Sequence, residues 1–164
     1  MDLELSDEQR WLAESVETLL TRDGDRLWES LTEFGALDDS LGAVELCLIS
    51  RALGAHLARV PFLGSAALRY ATAAALDRPV ALALLEPGGS WALEPLATTL
   101  DGGRVTGEKV AVEHADAGLI AVLADGPAVA LVAAGDAEIS PQAAFDGTVS
   151  LSAVSLAAAP ADVL

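Results

Sequence analysis

The residues best suited to chemistry by type and spacing are a Glu-Pro-Gly-Gly-Ser run at residues 86–90. The apolar run at residues 80–85 before it is short enough for a buried strand. Because Pro fixes φ and Gly permits a positive φ, the run predicts a loop directly after that strand. Such a loop presents backbone N–H groups that can hold a phosphate or the edge of a flat cofactor. The same pattern is also typical of an ordinary turn.

Other reactive residues form no recognisable site. His56 and His114 lie far apart in sequence with no ligand-spaced cluster around them, so no metal site is predicted. His56 is predicted at a helix surface or interface, and Cys47, in an apolar helical stretch, is predicted to be a small core residue. Ser90 lacks the G-x-S-x-G context of a hydrolase, and Glu86 is assigned to the Glu-Pro turn. The sequence has neither a G-x-G-x-x-G nor a Walker motif.

Composition excludes several classes of protein. The chain has 164 residues, 52% of them hydrophobic and only 4% aromatic, so the core must be mostly Ala, Leu and Val. Nine basic residues against 25 acidic ones give a net charge of −16, which disfavours nucleic acid and anionic membranes as partners. A single Cys rules out an intrachain disulfide, and no run resembles a signal peptide or a membrane span. These features predict a soluble cytoplasmic protein.

The first half of the chain has a helical period. Ser6 and Gln9 form a capping box, and apolar residues then recur on one helical face until residues 21–25 end the helix. A second helix is predicted near residues 27–34, closed by Gly35, and further helices at 41–60 and 65–76. The third is apolar on more than one side, which predicts that it is buried or packed against another subunit.

After Pro79 the apolar period shifts towards two. Strands are predicted at residues 80–85, 96–100, 105–112, 119–123, 129–133 and 148–156. Gly-containing turns separate most of them, which indicates an antiparallel β-barrel or sandwich. Because all helices precede all strands, the predicted class is α+β, with an N-terminal all-α helical domain at 1–78 and a β domain at 79–164.

Read together, these segments resemble the N-terminal and middle domains of the acyl-CoA dehydrogenase family. The similarity is carried by local motifs in the family's order. They are LELSDEQ at 3–9, WESLTEFG at 28–35, ALGAHL at 52–57 with VPF at 60–62, EPGGS at 86–90, GEK at 107–109, AD at 115–116, and the tail from DGT at 146–148 to PADVL at 160–164.

The resemblance implies a flavoprotein. In the family, FAD lies against the middle β domain, and the reaction removes the α and β hydrogens of an acyl-CoA thioester with FAD as the hydride acceptor. The implied substrate is an acyl-CoA from fatty acid or sterol side-chain metabolism, and the implied assembly is a homo- or hetero-oligomer with an acyl-CoA dehydrogenase relative. The resemblance fixes neither the acyl chain nor the electron acceptor.

The resemblance aligns six positions of this chain with residues that contact the flavin in the family: Leu84, Leu85, Gly89, Ser90, Ala111 and Glu113. Three of them depart from the family's residues. Leu85 replaces a Thr that contacts the flavin, Ala111 replaces a Trp that packs beside the ring, and Glu113 replaces another Thr. A carboxylate near the flavin or its pyrophosphate is repulsive unless it is protonated or paired. Backbone amides near Leu84, Leu85, Gly89 and Ser90 can still bind the cofactor, since they need no particular side chain.

The family's C-terminal helical bundle has no counterpart in these 164 residues. Since that bundle carries the catalytic carboxylate in many members, no catalytic residue is assigned here, and the chain alone is expected to be inactive. Three hypotheses follow: part of an acyl-CoA dehydrogenase, a non-catalytic subunit that pairs with a catalytic relative, or an α+β scaffold alike in fold only.

Overall fold

A computed structural model of the chain describes residues 4–73, 76, 78–88 and 95–164. The chain divides into two compact units, Met1–Ala73 and Ala74–Leu164. The first unit is helical and the second is built on a sheet, so the prediction of an α+β fold with the helices first is confirmed. The domain boundary between residues 78 and 79 stays a prediction.

Over residues 4–73 the helical unit contains four α-helices and a 3₁₀ turn. They are α1 (Asp7–Arg22), the turn Gly24–Arg26, α2 (Leu27–Phe34), α3 (Ala43–Ala55) and α4 (Phe62–Thr72). The predicted capping box is present at the start of α1. Ser6 Oγ accepts from the Gln9 N–H over 3.2 Å, and Gln9 Oε1 accepts from the Ser6 N–H over 3.0 Å. Gly35 ends α2 with a φ of 85°, as its position predicts.

The third helix ends earlier than the sequence suggests. Apolar periodicity carries the prediction to residue 60, but α3 ends at Ala55. Leu57 takes a left-handed φ of 51°, and the Ala58 N–H donates to the Leu53 carbonyl over 2.9 Å. This hydrogen bond closes the last turn in the manner of a glycine-capped helix, so the chain leaves the helix before residue 60, the predicted end.

Only one face of α3 is buried. Ile49, Ala52 and Leu53 face the core, whereas the Val44 side chain is 49% exposed and Cys47 is exposed. The prediction of Cys47 as a core residue is therefore wrong. An apolar helix need not be buried on every side, since small side chains cost little when they face solvent.

The helical core joins residues from all four helices. Its largest fully buried side chains are Val16, Leu31, Ile49 and Phe62. Each helix supplies one of them, and within α1 the buried residues Leu12, Val16 and Leu19 recur at helical spacing, so the 3.6-residue period correctly locates the inner face of that helix.

The described residues of the second unit form seven strands. They are β1 (Val80–Ala83), β2 (Thr99–Asp101), β3 (Arg104–Glu113), β4 (Leu119–Ala124), β5 (Ala128–Ala133), β6 (Glu138–Gln142) and β7 (Leu151–Val163). Sequence reasoning missed β6, because Pro141 argues against a strand. Pro141 is tolerated here because β6 pairs only with β7, and an edge strand need not donate every N–H.

The strands form one open sheet in the order β1-β4-β5-β7-β3-β2, with β6 paired to β7 beside that path. All pairs are antiparallel except β1 with β4, which is parallel. The 13-residue β7 pairs with β5 near its C-terminal end and with β3 and β6 over the rest. The sheet is mixed rather than purely antiparallel, and it is not closed into a barrel.

The core of this unit is built from small and branched aliphatic side chains. Fully buried examples are Ala83, Val105, Val112, Ile120 and Val132. Across the described ranges, no helix is both long and apolar enough to cross a membrane.

Candidate functional site

Three of the predicted cofactor residues, Leu84, Leu85 and Ala111, lie around a contact between the end of β1 and the middle of β3. The Val110 N–H donates to the Leu85 carbonyl over 2.9 Å in an isolated antiparallel bridge. Leu84 and Ala111 flank this bridge along the chain, and both residues are exposed, Leu84 to 37%. The structure thus brings Leu84, Leu85 and Ala111 together, and these three residues are called the β1–β3 corner.

A bulge in β3 shapes this corner. Lys109 pairs with Val154 and Val112 pairs with Ser152, so two residues of β3 lie opposite one residue of β7. In a regular strand, residues three apart point to opposite faces. The bulge lets Lys109 and Val112 both be buried, and it directs the lysine towards Glu86.

Ala111 occupies the bulge with a strained backbone. Its φ is 54°, which only glycine adopts without cost, and its side chain is exposed. The Ala111 N–H donates to Gln142 Oε1 over 2.7 Å. Glu113, two residues further along β3, is also exposed and pairs with Leu151. Sequence reasoning missed Gln142, which has no distinguishing signal beyond its place in an unpredicted strand.

The most specific polar contact near the corner is an ion pair. Lys109 Nζ lies 3.1 Å from Glu86 Oε1, with the Lys109 side chain 0% exposed and that of Glu86 17% exposed. Glu86 also accepts from the Ala97 N–H over 2.7 Å and from the Thr98 N–H over 2.8 Å. Assigning Glu86 to an ordinary turn overlooked this role, and Lys109 was noticed only as part of a motif.

Gly107 makes room for this arrangement. A Cβ at this position would lie 2.5 Å from Thr98 Oγ1 and 2.8 Å from Thr98 Cα, closer than real contacts allow. Any other residue at 107 therefore displaces Thr98 from β3. The Thr98 hydroxyl is buried and makes no hydrogen bond of good geometry within the described part of the chain, but it lies close to Glu86.

Burial and hydrogen bonding act in opposite directions on the ion pair. Burial raises the pKa of Glu86, but the Thr98 hydroxyl, the N–H groups of Ala97 and Thr98, and the Lys109 ammonium together lower this pKa to about 2. For Lys109, burial lowers the pKa more than Glu86 raises it. The geometry favours the ionised pair at neutral pH, since each charge has its partner and the carboxylate has two further donors.

Two of the six predicted cofactor residues, Gly89 and Ser90, lie outside the described residues. The other four fit a flat cofactor only in part. Leu84 and Ala111 form an exposed apolar surface that can pack against one face of a ring. None of these four described positions carries a side-chain hydroxyl or amide, and Glu113 brings a negative charge. The corner therefore offers packing surface but no side-chain hydrogen-bond donor.

Other candidate groups lie away from the corner. His56 is exposed as predicted and pairs with Glu17, with 2.6 Å between Nε2 and Oε2. The helical unit has an open cleft of about 550 Å³ lined by residues that include Trp28, His56 and Arg59, and none of the predicted cofactor positions lines it. Over the described residues, no group of three or more His, Cys, Asp or Glu could hold a metal ion.

Solved structures match nearly the whole chain in fold. An acyl-CoA dehydrogenase from Geobacillus kaustophilus superposes with a TM-score of 0.74 at 14% identity, over 100% of this chain and 60% of that one. A glutaryl-CoA dehydrogenase from Mycobacterium smegmatis, in complex with FADH2, gives 0.66 at 16% identity, over 96% and 54%. The ChsE4–ChsE5 complex from Mycobacterium tuberculosis gives 0.70 at 18% identity, over 97% and 55%. This chain has the acyl-CoA dehydrogenase fold.

The resemblance read from the sequence motifs is thus confirmed at the level of fold. The chain spans 54% to 60% of the length of these three solved chains. No protein-family profile matches the sequence, and no curated protein matches it either. At identities of 14% to 18% the similarity establishes the acyl-CoA dehydrogenase fold alone.

Proposed function

We propose that this chain forms part of an acyl-CoA dehydrogenase-type flavoprotein, which performs α,β-dehydrogenation of an acyl-CoA thioester with FAD as the hydride acceptor. The observation that supports it most is the β1–β3 corner, where three predicted flavin positions meet within this fold and two of them, Leu84 and Ala111, are exposed apolar residues. The FADH2 bound in the Mycobacterium smegmatis structure supports the choice of cofactor.

In this proposal the chain supplies surface and position. FAD, when bound, supplies the redox chemistry. Leu84 and Ala111 pack against one face of the ring system and exclude water from it. Backbone N–H groups at Leu85, Gly89 and Ser90 are the proposed hydrogen-bond donors, since backbone donors need no particular side chain. The departures at 85, 111 and 113 make this binding weaker than three matching side chains would.

No residue of this chain is proposed as the catalytic base. The proposed site residues offer only Glu113 as a carboxylate, and it lies where the family has a flavin contact rather than its base. We assign the base, and the rest of the acyl-CoA pocket, to a part of an acyl-CoA dehydrogenase outside the length that this chain matches. The acyl group, whether fatty acyl or sterol side chain, is left open.

A non-catalytic subunit is the second candidate. The exposed carboxylate of Glu113 and the absence of a hydroxyl on Leu85 favour it, because both weaken flavin binding by this chain. In this form the chain pairs with a catalytic acyl-CoA dehydrogenase relative and shapes its site. The Mycobacterium tuberculosis neighbour is itself a complex of two named components, which supports the idea of an unlike pair. Both candidates place the protein in the cytoplasm, where the exposed Cys47 stays reduced.

The visible spectrum of the purified protein tests both candidates. Flavin absorbance in stoichiometric amount from the chain expressed alone supports the first and contradicts the second. A colourless protein that acquires flavin absorbance only with a co-expressed acyl-CoA dehydrogenase supports the second. A protein that stays colourless under both conditions, and binds no added FAD, refutes both.

A further inference from the structure

The β1–β3 corner joins two strands that are far apart in the order of the sheet. β1 is the first strand of that order and β3 is the last but one, with β4, β5 and β7 between them. Over the described residues, one backbone hydrogen bond links the chain at the end of β1 to β3, from the Val110 N–H to the Leu85 carbonyl over 2.9 Å. This contact is called the seam. One hydrogen bond is a weak constraint, so it does not by itself fix how the two strands lie against each other.

An ion pair lies directly beside the seam. Glu86 follows the seam residue at the end of β1, and Lys109 precedes the seam residue of β3, so an antiparallel contact places the two charged residues opposite each other. Lys109 Nζ lies 3.1 Å from Glu86 Oε1. The ion pair is therefore a second link between the chain after β1 and β3.

Opening the seam would separate a buried charge from its partner. The Lys109 side chain is 0% exposed, and among the described residues Glu86 is the one acceptor that its ammonium has. Leaving a buried ammonium without a counter-ion is far more unfavourable than losing one backbone hydrogen bond. The ion pair therefore opposes any movement of the end of β1 away from β3.

Glu86 is itself held by groups other than the lysine. Its carboxylate accepts from the Ala97 N–H over 2.7 Å and from the Thr98 N–H over 2.8 Å. The Thr98 carbonyl in turn accepts from the N–H of Asp125, the residue after β4, over 2.8 Å. These contacts give the carboxylate one orientation, in which it satisfies the ammonium and both amides.

Stability alone does not explain why an ion pair occupies this place. A buried ion pair is often no more stabilising than two well-packed apolar side chains, because desolvation offsets the attraction. Apolar contact is non-directional, whereas a charge-assisted hydrogen bond is satisfied in a narrow range of geometries. What the ion pair adds is therefore a fixed position of one strand against the other.

The seam divides the surface that is proposed for the flavin ring. Leu84 and Leu85 lie on its β1 side and Ala111 lies on its β3 side. We propose that the ion pair of Glu86 and Lys109 holds the seam closed, and so fixes the two leucines relative to Ala111. The inference rests on the proposed function in one respect, since that function places the flavin on these residues. Neither charged residue touches the cofactor in this scheme, so both are positioning residues and not catalytic ones.

The first measurement uses the unmodified full chain. Val110 lies in the bulge and has no partner in the register of β3 with β7, so its N–H reports on the seam. Amide hydrogen exchange, resolved by residue, is expected to show this amide protected at least about tenfold relative to an unstructured peptide. Exchange at the unprotected rate overturns the proposal, and this result does not depend on whether any variant folds.

Lys109→Met removes the ion pair but leaves Glu86 with both of its backbone donors. In this variant the Val110 amide is expected to exchange on the order of tenfold to a hundredfold faster. The Ala97 and Thr98 amides are expected to keep their rates, because their acceptor is still present. The amides of β4 and β5 should also keep their rates, since they lie away from the seam.

Two further variants complete the comparison. Glu86→Leu together with Lys109→Met leaves no unpaired buried charge, so the fold is expected to persist while the Val110 amide again exchanges faster. Glu108→Gln is the matched control, because Glu108 is the exposed neighbour of Lys109 on β3. It removes a charge from the same strand and should leave the exchange of Val110 unchanged.

Two outcomes of this comparison count against the proposal. If Val110 stays protected in both variants that lack the lysine, the ion pair does not hold the seam. If every amide of the second unit accelerates by the same factor, the pair serves only the stability of the fold.

Cofactor affinity provides the readout that a structural role alone would not change. The affinity for FAD is measured by flavin fluorescence at a temperature at which every variant is fully folded. It is expected to fall about tenfold in both variants that lack the lysine and to stay unchanged in Glu108→Gln. Faster exchange of Val110 with unchanged FAD affinity contradicts the link to the cofactor. If the unmodified protein binds no FAD in any assembly, the proposed function fails, and the exchange of Val110 alone decides whether the ion pair holds the seam.

Discussion

The backbone N–H of Ala111 donates to Gln142 Oε1 over 2.7 Å, and this hydrogen bond links the bulge of β3 to the end of β6. The bulge cannot use that N–H in the β3–β7 ladder, because Ala111 has no partner on β7. The Gln142 side chain supplies the missing acceptor. A strand that sequence reasoning missed therefore supports the residue that the proposed flavin would contact.

Removing this acceptor should loosen the bulge. We expect Gln142→Ala to lower the free energy of unfolding by about 1 kcal/mol, since the Ala111 N–H loses its protein partner but remains accessible to water. Gln142→Glu keeps an acceptor oxygen and should retain most of that stability at neutral pH. Urea unfolding followed by circular dichroism measures both. Equal losses of unfolding free energy in the two variants would show that the side-chain oxygen of Gln142 does not stabilise the bulge.

The two halves of the buried ion pair should differ in their effect on stability. Glu86→Gln leaves the Lys109 ammonium fully buried without a counter-ion, so we expect a loss of roughly 3–5 kcal/mol. Lys109→Met leaves a carboxylate that is 17% exposed and still accepts from two N–H groups, so its cost should be smaller.

Glu108→Gln is the control for this comparison, because Glu108 is the exposed neighbour of Lys109 on the same strand. Its effect should stay within about 0.5 kcal/mol. Chemical denaturation of all three variants ranks them, and a Lys109→Met variant that is less stable than Glu86→Gln contradicts the assignment of the buried charge.

Low pH should remove the stability that the ionised Glu86 carboxylate contributes. The folded pKa of Glu86 is lowered from 4.5 to about 2, so its contribution is fully present above the unfolded pKa and is lost as the pH falls towards 2. A shift of this size corresponds to about 3 kcal/mol, as an upper figure. The unfolding free energy of the unmodified chain minus that of the Glu86→Leu, Lys109→Met variant, whatever its sign at neutral pH, should therefore fall between about pH 5 and pH 2.

Other carboxylates also titrate in this range, which is why the prediction concerns a difference. Asp23, whose pKa is also lowered to about 2 by Arg22 and Ser30, is present in both proteins and cancels. A difference that stays constant with pH would mean that Glu86 is not responsible.

Local signals in the sequence were enough to predict the elements that depend on neighbouring residues. The Ser6–Gln9 capping box and the Gly35 cap are contacts within a few residues, so their sequence pattern carries the information. The buried face of α1 follows from its helical period, and β4, which is buried on both faces, follows from a continuous apolar run. The order of motifs was sufficient to indicate the fold.

Contacts between distant residues could not be predicted this way. Glu86 and Lys109 are 23 residues apart, and nothing in either segment shows that a bulge turns the lysine inwards. The exposure of Cys47 could not be predicted either, since the apolar character of α3 does not show which of its faces packs against another helix. The β6 strand was hidden by Pro141, which only its edge position makes tolerable.

The proposed flavin contact can be tested at Glu113, which is exposed on β3. If a flavin or its pyrophosphate lies beside this carboxylate, Glu113→Thr removes a repulsion and should raise the affinity for FAD by about tenfold, the effect of one nearby like charge near a protein surface. Glu113→Gln keeps the shape and removes only the charge, so it should give most of the same gain. Glu108→Thr, on the same strand, is the control and should change nothing.

Adding Ala111→Trp to Glu113→Thr extends the test to the ring. An aromatic side chain at this position is expected to add roughly 0.5–1.5 kcal/mol of stacking with the flavin. The Trp backbone would have to adopt the left-handed φ of 54° that Ala111 has, which is strained for a bulky residue. A lower melting temperature should therefore accompany the gain in FAD affinity. Isothermal titration with FAD and thermal unfolding of the same samples separate the two effects. If neither substitution alters FAD affinity, the cofactor does not lie at the β1–β3 corner, and the proposed assignment of Leu84, Leu85, Ala111 and Glu113 is wrong.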